Sequence, residues 1–356
     1  MDGQGQGKHE KGSHLGGGHV TKEMLGEIDV RDTQMQCVFQ PASDMLEKSQ
    51  KMFAWSMGWE DVLARSLGWS VTLLNTAQIY YTSEDCIGQL RTSSPSGSKA
   101  LVISKFDALS NRTTDLVPTL QRSIEKCKVD ALDGFLIHFP KGSPEAVADQ
   151  LAVAYQRGLV RNVGVSNYDE AALRQMHGLL KDRGVPLIFN EIEFSLLRRM
   201  PETSGLLKVC KELGVTVLAW APLASGRLTS KPCTEQITDS DTVACLEQVK
   251  TLAAKYQKTP AQVALNWCIC KGTVPIPGAR TLEQAQENAG ALGWQLTAEE
   301  VAQLDAVAVD SLGMYNSPEA LYTFFGWWPP AVVRPVCNGV LRCVLALARK
   351  CVPLQD

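Results

Sequence analysis

Between residues 70 and 310 the chain repeats one unit: a short apolar run, a stretch of helical character, then another apolar run. The runs are VTLLN (71–75), ALVISK (100–105), LDGFLIH (132–138), VRNVGVS (160–166), PLIFNEI (186–192), VTVLAW (215–220) and TVPIP (273–277). A strand with one wet face alternates apolar and polar residues, whereas a strand covered on both faces is apolar nearly throughout. These runs therefore read as strands buried on both sides, which calls for a parallel sheet flanked by helices.

The segments between them carry helix boundaries. Thr113-Thr114-Asp115 precedes LVPTLQRSIEKCK, and Ser143-Pro144-Glu145 opens a helix that stops near Gly158. Asn167-Tyr168-Asp169 opens one that ends at Gly184, and Thr259-Pro260 opens AQVALNWCICKG. Polar caps, Pro in the first turn and Gly past the end are the usual helix punctuation. Seven strands, with an eighth near MQCVF (35–39), favour a closed (β/α)8 TIM barrel. An open doubly wound α/β sheet is the alternative.

A chain of 356 residues suggests two domains on length alone, but single α/β barrels reach that size. The expected organisation is an irregular N-terminal extension (1–50), a barrel (51–310) and a C-terminal extension (311–356). The first 20 residues are rich in Gly and include His9, His14 and His19. A disordered tail is the simple reading and metal binding the sharper one. That segment has no apolar core, so it does not read as a secretory signal, and it makes a poor transit peptide. Residues 331–349 are apolar with spaced Arg334, Arg342 and Arg349. Pro335 and the arginines leave no clean spanning run, so a helix packed on the barrel is expected, with membrane-surface contact as the alternative.

The net charge of -3 provides no basic field for nucleic acid. Eleven scattered cysteines fit a reducing compartment better than a disulfide framework. The cytoplasm is the expected location.

In a parallel barrel, chemistry collects at the C-terminal ends of the strands. Those ends carry Asn75 with Tyr80 just beyond it, then Lys105, His138, Ser166-Asn167, Asn190-Glu191 and Trp220. Singly, each has a structural explanation: a packed tyrosine, a solvated lysine, a histidine satisfying a carbonyl. On adjacent strand ends, Tyr80, Lys105 and His138 form a set that can donate a proton to a carbonyl oxygen. An ammonium near a phenol lowers the phenol's pKa, and an imidazole can hold the carbonyl by hydrogen bond. No Walker loop, GxSxG elbow, HExxH zinc motif or strand-linked GxGxxG competes with this set, and no metal is expected.

Several segments resemble the aldo-keto reductases, (β/α)8 barrels that reduce aldehydes and ketones with NADPH. NTAQIY, VISKF, LDGFLIHFP, GLVRNVGVSNY, VLAWAPLASGRL and PIPGARTLEQAQENAGAL carry the resemblance, over roughly residues 60 to 308. The Pro-Ile-Pro-Gly-Ala-Arg wording is similar to plant and algal members, which makes a chloroplast the alternative compartment. The resemblance implies a small carbonyl substrate, Tyr80 as proton donor, Lys105 lowering its pKa and His138 orienting the carbonyl. It places Asn75 beside Lys105, and Ser166, Asn167 and Glu191 on the nicotinamide carboxamide. Trp220 would stack on the nicotinamide ring, and Ser225 and Arg227 would cover the pyrophosphate. Arg280, Gln284, Glu287 and Asn288 fall where the family grips the adenosine end, and Arg280 favours NADPH over NADH.

Three positions and one region depart from the family's pattern. Asn75 stands where the family has aspartate, keeping the shape and an acceptor for Lys105 but not the charge. Glu191 stands where it has glutamine. Tyr81 replaces a small residue. The region before residue 70 lacks the family's Gly-Thr-aromatic first strand. Two functions follow as expectations: a working NADPH-dependent carbonyl reductase, or a catalytically impaired NADP(H)-binding sensor or interaction protein on the same fold. Oligomeric state is open at this stage.

Overall fold

The computed structural model describes residues 36–38, 73–80, 82–93, 95–108, 111–230, 240–279 and 281–310. Eight parallel strands run in chain order, each paired with its neighbours in sequence: β1 (Gln36–Val38), β2 (Leu73–Asn75), β3 (Leu101–Phe106), β4 (Gly134–Ile137), β5 (Val163–Ser166), β6 (Leu187–Glu193), β7 (Thr216–Trp220) and β8 (Val274–Ile276). β8 packs back against β1, so the sheet is a barrel and not the open alternative, whose strand order reverses in mid-sheet. The eighth strand expected near 35–39 is β1, although its QCV sequence shows nothing of a Gly-Thr-aromatic strand.

The flanking helices are α1 (Ser83–Ser93), α2 (Leu116–Cys127), α3 (Pro144–Gln156), α4 (Glu170–Asp182), α5 (Leu206–Leu213), α6 (Ser240–Tyr256), α7 (Pro260–Cys270), α8 (Leu282–Ala289) and α9 (Ala298–Val307). Ser143 and Asp169 cap α3 and α4 through their side chains, and Thr259 with Gln262 forms a full capping box on α7. Asp115 does not cap α2 with its side chain. Thr113–Asp115 instead forms a single 3-10 turn leading into that helix. No helix among the described residues is long and apolar enough to cross a membrane. Apart from β1, the extensions expected at 1–50 and 311–356 lie outside the described residues, including His9, His14, His19 and the 331–349 stretch.

Side chains alternate across each strand with period two, and this places the site. On β3, Val102 and Phe106 face the helices, in one apolar cluster with Leu90, Leu116 and Leu120. Ile103 faces the barrel interior with Leu136, Phe189 and Leu218, and Leu73 and Val274 pack against them. Two residues beyond this interior layer stand Asn75, Lys105, His138, Glu191 and Trp220. The apolar layer is thus a floor, and the residues singled out at the strand ends stand on it, facing inward.

Gly164 on β5 makes room for that floor. A Cβ there would lie 2.8 Å from Phe189 Cβ and 2.9 Å from Leu136 Cγ. Gly164→Val should therefore destabilise the fold by about 1–3 kcal/mol through overpacking. Gly178, inside α4, has nothing within 4 Å of an added Cβ, so Gly178→Ala should stabilise by about 0.5–1 kcal/mol. Paired denaturant unfolding curves check both signs.

Candidate active site

The turn after β2 is pinned to β3 before any chemistry is considered. Thr76 N–H donates to the Ile103 carbonyl at 2.8 Å, and the Thr76 and Ser83 hydroxyls bond across the turn. Gln78 accepts from Asp107 N–H at 3.4 Å and donates to Ser123 Oγ at 3.3 Å. Tyr80 N–H closes on the Ala77 carbonyl at 2.9 Å, and Ser83 N–H on the Tyr80 carbonyl at 3.0 Å, where α1 begins. The polar residues Thr76 and Gln78 therefore build the turn that holds Tyr80.

Tyr80, Lys105 and His138 converge. Lys105 Nζ lies 5.1 Å from the Tyr80 ring centroid, and the Tyr80 and His138 rings meet edge-to-face at 5.7 Å. All three are buried, and His138 also stacks on Phe139 at 4.7 Å. Burial, and secondarily the positive charge of Lys105, lower His138 to about 3, so its imidazole is neutral at ordinary pH. Its Nδ1 is buried with no hydrogen-bond partner among the described residues.

Tyr80 is raised well above an ordinary phenol, first by burial and then by the negative charge of Glu191. Taking a phenolate out of water is costly, and a carboxylate nearby adds to that cost. Lys105 stays below an ordinary lysine: burial pulls it down, and Glu191 offsets that only in part.

Lys105 has three oxygen partners. Its Nζ donates to Asn75 Oδ1 at 2.5 Å and to the Thr76 carbonyl at 3.0 Å, and it pairs with Glu191 Oε1 at 3.2 Å. Asn75 Nδ2 in turn donates to Glu191 Oε2 at 2.8 Å. Asn75 thus accepts from Lys105 as its shape allowed, while the carboxylate comes across the barrel from β6. In the sequence, the missing charge at position 75 and the extra charge at 191 looked like separate departures. The signal that joins them is that both are inward-facing and both stand one step above the same apolar layer.

The β5–β7 side forms a second bonded group. Ser166 Oγ donates to the Glu191 carbonyl at 2.9 Å. Asn167 Nδ2 donates to the His138 carbonyl and to Ser166 Oγ, both at 3.0 Å, and Asn167 Oδ1 accepts from Trp220 Nε1 at 3.1 Å. Asn167 holds a left-handed φ of 62°, which asparagine tolerates better than most residues. The structure thus brings Ser166, Asn167, Glu191 and Trp220 together at adjoining strand ends. Past β7 the backbone curls through left-handed φ at Ala221, Ala224, Ser225 and Gly226, just before Arg227. The turn is closed by its own N–H groups: those of Ala224, Gly226 and Arg227 donate to the carbonyls of Ala221, Leu223 and Ala224.

Of the residues near the end of the barrel, Asn288 is buried and donates to the Gly278 carbonyl at 3.2 Å, fixing the loop after β8. The Glu287 carbonyl accepts from Gln262 at 2.9 Å, and Gln284 N–H is used by the Thr281 cap of α8. Arg280 and Tyr81 lie outside the described residues.

A model of the aldo/keto reductase family matches residues 59–309. The chain belongs to that family, whose members are oxidoreductases. Among characterised relatives it is similar to the chloroplastic pyridoxal reductase of Arabidopsis thaliana, 35% identical over 269 residues, covering 68% of this chain and 74% of that protein. It is also similar to 2,5-diketo-D-gluconic acid reductase B of a Corynebacterium strain, 31% identical over 240 residues, covering 66% of this chain and 78% of the relative. Among solved structures, a glycerol dehydrogenase from Gluconobacter oxydans aligns with a TM-score of 0.65 at 20% identity, covering 78% of this chain and 93% of the other. A Klebsiella pneumoniae aldo-keto reductase in complex with NADPH aligns with a TM-score of 0.63 at 22% identity, covering 77% and 90%. At such identities the structures attest the barrel alone.

Proposed function

We propose that the chain reduces aldehyde or ketone carbonyls to alcohols with NADPH. The observation that carries this reading is the convergence of phenol, ammonium and neutral imidazole on one interior rim, with Lys105 5.1 Å from the Tyr80 ring and His138 5.7 Å from it. The residues suit the nucleotide. Trp220 offers a flat face, Ser166 and Asn167 offer polar atoms beside it, and Ser225 with Arg227, at the left-handed turn after β7, would supply a hydroxyl and a positive charge for a pyrophosphate. Gln284, Glu287, Asn288 and Arg280 would take the adenosine end, with Arg280 meeting the 2′-phosphate.

When bound, NADPH supplies the hydride that adds to the carbonyl carbon. The Tyr80 hydroxyl gives its proton to the carbonyl oxygen, so the C=O becomes C–OH. Burial keeps the phenol protonated at neutral pH, and a positive group beside it is needed to make it a competent donor. Lys105 steadies the phenolate left behind, and the neutral His138 ring donates a hydrogen bond that orients the carbonyl. The similarity to a pyridoxal reductase supports a reactive aldehyde as substrate, with pyridoxal the first to try. The name of the Arabidopsis relative supports the chloroplast over the cytoplasm.

The test is NADPH consumption, followed by absorbance, with p-nitrobenzaldehyde and pyridoxal. Turnover with p-nitrobenzaldehyde is expected, faster with NADPH than with NADH. Tight NADPH binding by fluorescence quenching without turnover of any carbonyl would sink the reading and favour the sensor alternative.

A further inference from the structure

We propose that Glu191 is the positioning residue for Lys105, supplying from β6 the carboxylate that holds the ammonium against Tyr80. The kinetic part of this inference rests on the reductase reading; the stability part does not.

Lys105 is fully buried, and a buried ammonium needs an anion or it gives up its proton. The groups facing it are Asn75 and the Thr76 carbonyl from the β2 end, Tyr80 from the following turn, His138 from β4 and Glu191 from β6. Tyr80 and His138 are neutral at ordinary pH, and Asn75 and the carbonyl carry no charge. Of the other buried carboxylates near β3, Glu84 accepts from Ser104 at 2.6 Å on the opposite, helix-facing side of that strand, Asp133 accepts from Val102 N–H at 2.8 Å at the far end of the strand, and Asp107 follows Phe106 beyond its end. Among the groups facing Lys105, Glu191 is the only anion, at 3.2 Å from Nζ.

Asn75 completes the arrangement. It accepts from Lys105 and donates to Glu191, so the three side chains form a closed ring of contacts. An amide is the one neutral group of that shape that can do both at once. An aspartate at position 75 would instead face the Glu191 carboxylate oxygen-to-oxygen. The charge at 191 and its absence at 75 are therefore one device, in which the carboxylate and the amide are each fitted to the other.

The device is tested by moving the charge. In Glu191→Gln, Lys105 keeps its oxygen neighbours but loses its anion. The rate at neutral pH should fall about 10- to 100-fold, as one to two pKa units of lost ammonium stabilisation imply. The loss of activity with rising pH should move to lower pH. The unfolding temperature should also fall, by about 5 °C or more, because a buried pair is broken. The double variant Asn75→Asp/Glu191→Gln places the carboxylate on the other side of the same hydrogen bond. It should recover most of the rate, the pH limb and the unfolding temperature. Asn75→Asp alone, with two carboxylates in contact, should fall below the parent in rate and in unfolding temperature.

A Glu191→Gln variant that matches the parent in unfolding temperature overturns the proposal. So does a double variant no better than the worse single one. If the parent shows no turnover, the reductase reading fails by itself, and the unfolding-temperature cycle still decides whether Glu191 and Asn75 are coupled through Lys105.

Discussion

Tyr80→Phe is expected to lower kcat/KM for aldehyde reduction by about 100- to 10,000-fold, the range lost when a positioned general acid is removed. The substitution takes away one oxygen and its proton and leaves the ring. The ring contacts survive, because the 5.1 Å approach of Lys105 and the 5.7 Å edge-to-face meeting with His138 need only the aromatic face. NADPH affinity by fluorescence quenching should therefore change less than about threefold, a shift below 1 kcal/mol. Water is a poor substitute donor, since Tyr80 is 8% exposed and Lys105 wholly buried. His138 is a poor one too, being neutral at working pH. The loss should appear in kcat and kcat/KM together, because proton donation is made only as the carbonyl oxygen gains charge. A parent-like rate in Tyr80→Phe, with binding intact, would remove Tyr80 from the mechanism.

How far the sequence alone reaches can be followed through Lys105. Its strand was legible because ALVISK is apolar on both faces, and its position at a C-terminal strand end followed from the barrel. Its direction was also legible in principle, since period two puts Lys105 on the same side as Ile103. Its partner was not. Glu191 reaches it across the interior from β6, with β4 and β5 between them around the wall, and separation along the chain says nothing about a chord across a barrel. Burial depth was equally hidden. The same residue types on an open rim would leave Tyr80 near its ordinary pKa, whereas a closed one raises it. Asp115 shows the local limit: its type suits a helix cap, but the 3-10 turn before α2 leaves its side chain without that role. Thr76 and Gln78, polar residues between Asn75 and Tyr80, make the bonds that shape the turn.

The neutral imidazole of His138 should make folding stability fall as the solution is acidified. In the folded protein it titrates at about 3, while its ordinary value is 6.5. Between those values the unfolded chain binds a proton that the folded chain refuses. Stability from this group is therefore fully present above pH 6.5 and is lost progressively as pH falls toward 3. A gap of that size corresponds to roughly 4–5 kcal/mol over the whole window. About 2 kcal/mol of it should already be lost between about pH 7 and pH 5, where the protein can still be followed by urea unfolding. The comparison is His138→Phe, which keeps an aromatic ring beside Phe139 and Tyr80 but has no proton to bind. Subtracting its unfolding free energies from those of the parent cancels the titration of the other groups. The difference should shrink by about 2 kcal/mol from about pH 7 to pH 5, moving against the parent. A flat difference would mean that His138 gains its proton in the folded state near its ordinary value. The imidazole would then carry a charge beside Lys105 in mildly acidic solution, and the rate of reduction would titrate with it. The steep loss and a rate free of any histidine limb in that range are two readouts of one cause, the burial of the ring next to an ammonium.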